Sequence, residues 1–435
     1  MLKNNYDLDS VPELEALDSG SMDLRFEAGK KGVYPLDPKE LQFLQDLASW
    51  KHGVPPLDNR ARRATLLRKE TLLAKDWRAL QGVQIKGIGF REGKRAMHPS
   101  TRTPYRPPYA PTVTPIAKPD GSLGLRLPKV EPLGGWTVAA QREFEALVRL
   151  HESGIEAPLP IDYGRIEGKQ WQGRDLEVGI WGLTSRERIR VGDHIQNWPS
   201  HDYDWKTSPV QKRDCVEFTI VLNRRIAQIL RETHEKADLV GLQPHYGNFT
   251  YDPETNRVIA HDFENAVRAS SLEPNQVAYQ AVADTAILFR KQMALLTLLS
   301  QLGFNDPAAQ RECVTETLNA LYEGKEDIKN KLTERLLQLT TRLQTNDMGD
   351  VMNDSLHVLL PTLLELQKDS EFGNRYPTTL TPAQLSANYR AFERKSTLFV
   401  DEVVRDPRPY QALFDTTYRP SMLQEIVDRI EAYNK

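Results

Sequence analysis

The chain lacks most of the residue patterns that announce a particular chemistry. Only two of its 435 residues are cysteine, Cys215 and Cys313, and they form no Cys-x-x-Cys pair. That excludes a disulfide framework and a thiolate zinc site, and it fits a reducing compartment, so a cytoplasmic protein is expected. Nine histidines are scattered without metal-ligand spacing, and there is no His-Glu-x-x-His. Neither a Gly-x-Ser-x-Gly elbow nor a Walker A loop occurs, which removes the common hydrolase and P-loop readings. Long apolar runs are missing too. Met293-Ala-Leu-Leu-Thr-Leu-Leu falls far short of the roughly 20 residues that span a bilayer, so no membrane segment is expected. The start, Met1 to Asp9, turns acidic at once without an apolar h-region, so no signal peptide is expected. Finally, 57 Lys and Arg against 60 Asp and Glu leave a net charge of −3. The chain as a whole has no electrostatic pull on nucleic acid.

What is present reads as an ordinary soluble globular protein, with 39% hydrophobic and 27% charged residues. Residues 1–35 are polar and acidic and read as a flexible N-terminal arm. A helix is expected from Asp37, where Leu41, Phe43, Leu44, Leu47 and Trp50 recur at helical spacing. A second helix is expected from about Arg60 to Leu80, with Arg60, Arg62, Arg63, Arg68 and Lys69 on a solvated face. Alternation over Gly82-Val-Gln-Ile-Lys-Gly-Ile-Gly-Phe predicts a strand ending in a glycine turn. Residues 98–119 are too rich in proline for a helix or central strand and read as an extended insertion. Its Tyr105 and Tyr109 are read as packing residues. Leu123-Gly-Leu-Arg-Leu predicts another strand. Thr137 is expected to cap a helix that ends at Ser153–Gly154. Leu176-Glu-Val-Gly-Ile-Trp-Gly-Leu predicts a third strand.

A long helix follows from about Val210 to Lys236. From Pro274 onward helices are expected at 276–302, 307–322, 325–345, 350–368, 382–404 and 421–434. Strands first and helices afterwards give an α+β class: a protein-kinase-like, two-lobed fold with an extended all-helical C-terminal region. The expected divisions are an N-lobe with helical lead-in at 36–175, a C-lobe at 176–305 and a helical region at 306–435.

The chemistry is expected around Gln243-Pro-His-Tyr-Gly-Asn-Phe-Thr-Tyr and Ile259-Ala-His-Asp-Phe-Glu-Asn. An Asn followed by an apolar strand and an Asp is the layout that holds a divalent ion on nucleotide phosphates, here through Asn248 and Asp262. Such a site needs a lysine on the phosphates and a carboxylate to orient it. Lys86, followed by Gly87 and Gly89, and Glu143 supply these in the right order. Lys129 rivals Lys86 for the first role, and Glu145 rivals Glu143 for the second. Kinase-type loops also carry an Asp a few residues before the Asn. Here that place is near Gln243, and no carboxylate stands there.

Several stretches resemble the selenoprotein O family of kinase-like proteins over about residues 80–300. Gln84-Ile-Lys-Gly-Ile-Gly is similar to its Leu-Lys-Gly-x-Gly stretch, whose lysine binds nucleotide phosphate. Arg102-Thr-Pro-Tyr-Arg and Asp120-Gly-Ser are similar to its Thr-Pro-Tyr-Ser-Arg and Asp-Gly-Arg elements. Arg142-Glu-Phe-Glu-Ala-Leu with Ser153-Gly-Ile-Glu-Ala-Pro resembles its Arg-Glu-Phe helix and following turn, which favours Glu143 as the partner of Lys86. Gly179-Ile-Trp-Gly-Leu-Thr-Ser with Ile189-Arg-Val-Gly resembles a segment that implies Arg190 as a phosphate contact, with Arg186 or Arg188 standing in for a second arginine. Glu273-Pro-Asn-Gln-Val-Ala-Tyr-Gln-Ala also runs parallel to the family.

The resemblance implies an enzyme that binds ATP with Mg2+ or Mn2+ and moves AMP to a hydroxyl on a protein. The chain departs from the family at its loop, His-Gly-Val-Met-Asn-Thr-Asp-Asn, where Gly247 replaces the Asp taken to be the base. His245 is the nearest substitute, with Asp252 and Glu264 behind it. Asp262-Phe-Glu replaces Asp-Tyr-Gly. Two alternatives accompany this reading: a small-molecule phosphotransferase of the aminoglycoside-kinase type, and a pseudokinase acting as an interaction module.

Overall fold

The computed structural model describes residues 24–26, 32, 38–48, 64–68, 82–86, 114–126, 139–171, 174–183, 189–206, 208, 210–344, 348–406 and 428–434. Most of the expected arm at 1–35 and of the insertion at 98–119 lies outside these residues; within the arm, Leu24–Phe26 is a strand, not a flexible segment.

Five strands form one antiparallel sheet in the order β1-β6-β7-β3-β2. They are β1 (Leu24–Phe26), β2 (Ala64–Arg68), β3 (Gly82–Lys86), β6 (Leu159–Trp171) and β7 (Arg174–Leu183). β3 is a central strand, buried at all five positions, and its ladder with β7 runs from Gly82↔Leu183 to Lys86↔Gly179. The helix expected over 60–80 is not formed at 64–68. That stretch is a strand whose backbone pairs with β3 from Ala64↔Lys86 to Arg68↔Gly82. Pairing with an already buried strand outweighs a local helical pattern, because strand formation depends on its neighbours more than on propensity.

The helix expected from Asp37 is α1 (Pro38–Ala48). β4 (Thr114–Ala117) and β5 (Leu123–Arg126) form a separate hairpin, so the last part of the proline-rich stretch is a strand rather than a loop. The Gln276 side chain donates to the Ala117 carbonyl at 3.0 Å, and Asn388 donates to that of Gly121 at 2.7 Å. These bonds fasten the hairpin to helices late in the chain.

α2 (Ala140–Glu152) follows Ala139, which offers no side-chain cap; Thr137, expected to cap this helix, lies outside the described residues. The helix ends where Gly154 adopts φ +72, the left-handed conformation that glycine takes without strain. β8 (Ile189–Arg190) leads into α3 (Val191–Gln196), and a 3-10 turn at Lys212–Asp214 leads into α4 (Cys215–Glu235). β9 (Leu239–Val240), β10 (Phe249–Asp252), β11 (Arg257–Ala260) and β12 (Val267–Arg268) are short. β8, β10 and β11 make a three-stranded sheet, and β9 pairs with β12.

The remaining described elements are helical: α5 (Pro274–Gln301), α6 (Pro307–Leu321), α7 (Glu326–Leu343), α8 (Met348–Lys368), α9 (Glu371–Arg375) and α10 (Pro382–Arg405). Residues 428–434 are helical as well. Their starts carry readable signals. Asp306 accepts from Ala308 N–H, and Thr381 and Gln384 cap each other's backbone. α4 packs on α6, and α8 packs on α5 and α10. Leucines such as Leu222, Leu318, Leu336, Leu363 and Leu385 fill the shared core. The elements follow the α+β order expected from the sequence. Among the described residues no helix is long and apolar enough to cross a membrane.

Candidate active site

Lys86 ends β3 and is only 7% exposed. A buried ammonium needs partners, and three carboxylates surround it. Its Nζ lies 2.6 Å from Glu143 Oε2, 2.7 Å from Asp262 Oδ1 and 3.3 Å from Glu264 Oε2.

Glu143 comes from the first turn of α2, whose inward face also carries Ala140, Phe144, Leu147 and Leu150. Phe144 stacks at a tilt on Tyr163, with centroids 5.1 Å apart, and lies near Trp181. The buried Glu177 of β7 accepts the Gln141 backbone N–H at 2.9 Å. Helix α2 is thereby pinned to the sheet at the end where Glu143 emerges. Burial pushes the Glu143 carboxyl above its usual range, the Lys86 ammonium opposes that rise, and Asp262 and Glu264 add to it. Glu145, the rival, is exposed and accepts from Gln141 at 3.0 Å.

Asp262 follows β11 with φ +68. Left-handed backbone is tolerated by Asp better than by most residues, at a cost of order 1 kcal/mol. Here it accompanies the carboxylate's contact with Lys86. The side chain stays 28% exposed, so it can serve a ligand as well as Lys86.

Asn248 closes a 3-10 turn, Tyr246–Asn248, just before β10. Its carbonyl accepts the His261 N–H at 2.9 Å, and Phe249 pairs with Ala260 in the β10–β11 ladder. Asn248 and Asp262 are therefore held at the same end of one hairpin. The Asn248 amide donates through Nδ2 to the Gln243 carbonyl at 3.1 Å, which fixes Oδ1 on the other side. An amide oxygen and a carboxylate are the donors a hard cation such as Mg2+ prefers, so these two residues fit a divalent ion. Among the described residues no three His, Cys, Asp or Glu side chains gather as a metal site.

The loop before Asn248 hangs on Asp284 of α5. Its carboxylate accepts from Gly241 N at 2.8 Å and Gln243 N at 3.0 Å, and it faces His234 Nε2 at 3.3 Å. Gln243 itself has φ +49. Its exposed side chain occupies the place, five residues before Asn248, where a kinase-type loop carries Asp. His245 precedes the turn and is half-buried. A Cβ at Gly247 would lie 3.0 Å from His245 Nδ1 and 3.1 Å from Cε1. The imidazole thus lies over the bare backbone of Gly247. A Cβ on Gly192 in α3 would meet Gly247 N at 3.0 Å, so α3 presses on the same turn.

Arg190 sits in β8 opposite Thr250, one strand from the Asn248 hairpin. Asp252 is buried and organises the β10–β11 turn, accepting from Glu254 N and Thr255 Oγ1. Gly87, Gly89, Arg186, Arg188, Lys129, Tyr105 and Tyr109 lie outside the described residues.

Three contributors were not assigned these roles from sequence: Glu264 as a partner of Lys86, Glu177 under α2, and Asp284 under the loop. Asp284 had a usable signal, a lone carboxylate in the apolar run Val277-Ala-Tyr-Gln-Ala-Val-Ala-Asp-Thr-Ala-Ile. An isolated charge on a buried helix face implies donors waiting for it.

No protein-family model matches the sequence, and comparison with curated proteins finds no match. Among solved structures the chain is distantly similar to proteins of the kinase fold. One is ROP2 of Toxoplasma gondii, described as a virulence factor with a protein-kinase fold and no enzymatic activity (13% identity, 63% of this chain and 87% of that one, TM-score 0.26). Another is a Toxoplasma gondii rhoptry antigen kinase domain (12% identity, 60% and 84%, TM-score 0.27). A third is WaaP, solved in complex with acyl carrier protein (13% identity, 55% and 89%, TM-score 0.33). At these scores the likeness concerns chain path alone, and the functional argument rests on the site itself.

Proposed function

We propose that the chain is a two-lobed, kinase-like transferase with a helical C-terminal region, moving a phosphorus-containing group from ATP to a hydroxyl on a protein or small molecule. The observation that carries this reading is the position of Lys86 Nζ, 2.6 Å from Glu143 and 2.7 Å from Asp262. A strand lysine, a helix carboxylate and a loop carboxylate from three separate elements converge on one ammonium. Bound ATP with a divalent ion supplies the activated phosphate chain. Lys86 offers its ammonium to phosphate oxygens, and Glu143 keeps it pointed there. Asp262 and Asn248 present oxygens to Mg2+ or Mn2+. Arg190 is assigned to the phosphate tail with Gly87, Gly89 and Arg186, on the strength of the sequence resemblance. A ring nitrogen of His245 takes the hydroxyl proton in place of the missing Asp, and the bond broken in ATP releases ADP if the γ-phosphoryl moves or pyrophosphate if AMP moves.

Two versions of the transfer remain distinct. AMP transfer rests on the selenoprotein O resemblance alone, and phosphoryl transfer on the layout of the loop. Incubation with ATP labelled at either the α or the γ phosphorus separates them. Label from the α position alone indicates AMP transfer, and label from the γ position alone indicates phosphoryl transfer. A second reading, a pseudokinase acting as an interaction module, is favoured by one observation: Gln243 stands where a kinase-type base belongs. Transfer of neither label, with ATP binding retained, supports it.

A further inference from the structure

We infer that Glu264 is a built-in stand-in for phosphate at Lys86, so that an incoming triphosphate must displace it. This rests on the nucleotide-site reading above and adds a residue that the reading does not use.

An ammonium has three N–H donors. Glu143 at 2.6 Å and Asp262 at 2.7 Å are the close partners, and Glu264 at 3.3 Å is the longest of the three contacts. The Glu264 side chain is nine-tenths buried, so it is held at Lys86 by the fold rather than arriving from solvent. Glu143 is anchored by α2, which Glu177 fastens to the sheet. Asp262 is fixed by its left-handed backbone at the end of β11. Of the three carboxylates, Glu264 makes the longest contact with the ammonium. The three carboxylates match the three N–H donors of the ammonium in number, so a triphosphate that engages Lys86 competes with one of them for its place. Glu264 is the one placed to yield. A glycine at this position, as in Asp-Tyr-Gly, would leave Lys86 open to the phosphates. Here, access is conditional.

The proposal separates Glu264 from Glu143 by the sign of the effect. Both touch Lys86, yet loss of Glu143 removes the group that orients it, whereas loss of Glu264 removes the group that occupies it. The test is equilibrium binding of ATP and of adenosine to the full chain with Mg2+, in the wild type, Glu264→Gln and Glu143→Gln. We expect Glu264→Gln to tighten ATP about tenfold or more, as removal of a charge next to the phosphates should, and to leave adenosine unchanged. Glu143→Gln should weaken ATP. Unchanged or weaker ATP binding by Glu264→Gln overturns the inference.

A second measurement does not depend on a nucleotide site. Lys86 is acylated with an amine reagent, with and without inorganic tripolyphosphate, and the modified peptide is quantified. If tripolyphosphate protects Lys86 better in Glu264→Gln than in the wild type, Glu264 is the stand-in. Equal protection sinks the proposal. Absence of ATP and adenosine binding in every variant would remove the nucleotide reading, and the protection result would then decide the role of Glu264 alone.

Discussion

Replacing Asp284 by alanine should damage both stability and the site, in amounts that follow from its bonds. Its carboxylate is 2% exposed. It satisfies the Gly241 and Gln243 N–H groups and stands against His234. Each buried donor left unmatched costs about 1–3 kcal/mol. Two backbone donors and a histidine nitrogen, partly rescued by water in the space left behind, give about 3–5 kcal/mol in all. The functional loss follows from one further link. The Gln243 carbonyl accepts both the His245 N–H at 2.7 Å and the Asn248 amide at 3.1 Å. Freeing Gln243 therefore frees both residues assigned to the loop's chemistry. Urea unfolding gives the stability, and divalent-dependent ATP binding gives the site. Asp284→Asn keeps one acceptor oxygen and should fall between the wild type and Asp284→Ala in both. If Asp284→Ala unfolds within about 0.5 kcal/mol of the wild type, the loop is not suspended from Asp284 and the reasoning fails.

Other perturbations have equally definite outcomes. Gly247→Ala should push the His245 ring by a few tenths of an ångström and cost about 1 kcal/mol; turnover should fall more than ATP affinity does, and equal losses would count against His245 as base. His194 is buried, with Trp198 Nε1 3.4 Å from Nε2 and Tyr203 Oη 3.0 Å from Nδ1, and burial pulls its pKa down to about 4. The folded pKa lies below the unfolded value of about 6.5, so this contribution is complete above about pH 6.5 and is lost as pH falls towards 4, by about 3 kcal/mol. Unfolding midpoints against pH should show that slope in the wild type and not in His194→Gln. Asp162 is the opposite case, because burial raises its carboxyl to about 6 against the Tyr163 N–H and Gln45. The ionised form is penalised above about pH 6 and the penalty vanishes below about pH 4, so Asp162→Asn should gain about 1–2 kcal/mol at pH 8 and nothing at pH 4.

The long helices were legible from their own periodicity and start signals, whereas the short α3 and α9 were not expected. Pro307 after Asp306, and Thr381 three residues before Gln384, mark helix starts in sequence, and the structure uses them that way. Long apolar periodicity placed α4 and α5 within a few residues. β3 and β7 were legible from alternation. β2 was not, since its strand exists only through the ladder to β3, which no local pattern reports. β6 was hidden for the same reason, its run interrupted by Pro160 and Gly164. The short strands β8, β9 and β12 are defined by partners distant in sequence.

For the candidate site, the order of Lys86, Glu143, Asn248 and Asp262 could be read along the chain. The contact of Glu264 with Lys86 could not. It depends on how the backbone turns at Asp262, and φ +68 at a non-glycine residue has no sequence signature.

Lys86, Glu143, Asn248 and Asp262 are proposed to form a divalent-dependent nucleotide site. Calorimetric titration of the full chain with ATP, with and without Mg2+, tests it most directly when repeated on Asp262→Asn and Asn248→Ala. Wild-type binding should depend on Mg2+, and the Mg2+-dependent part should be lost in both variants. Wild-type binding that ignores Mg2+, or variants that bind as the wild type does, would contradict this assignment.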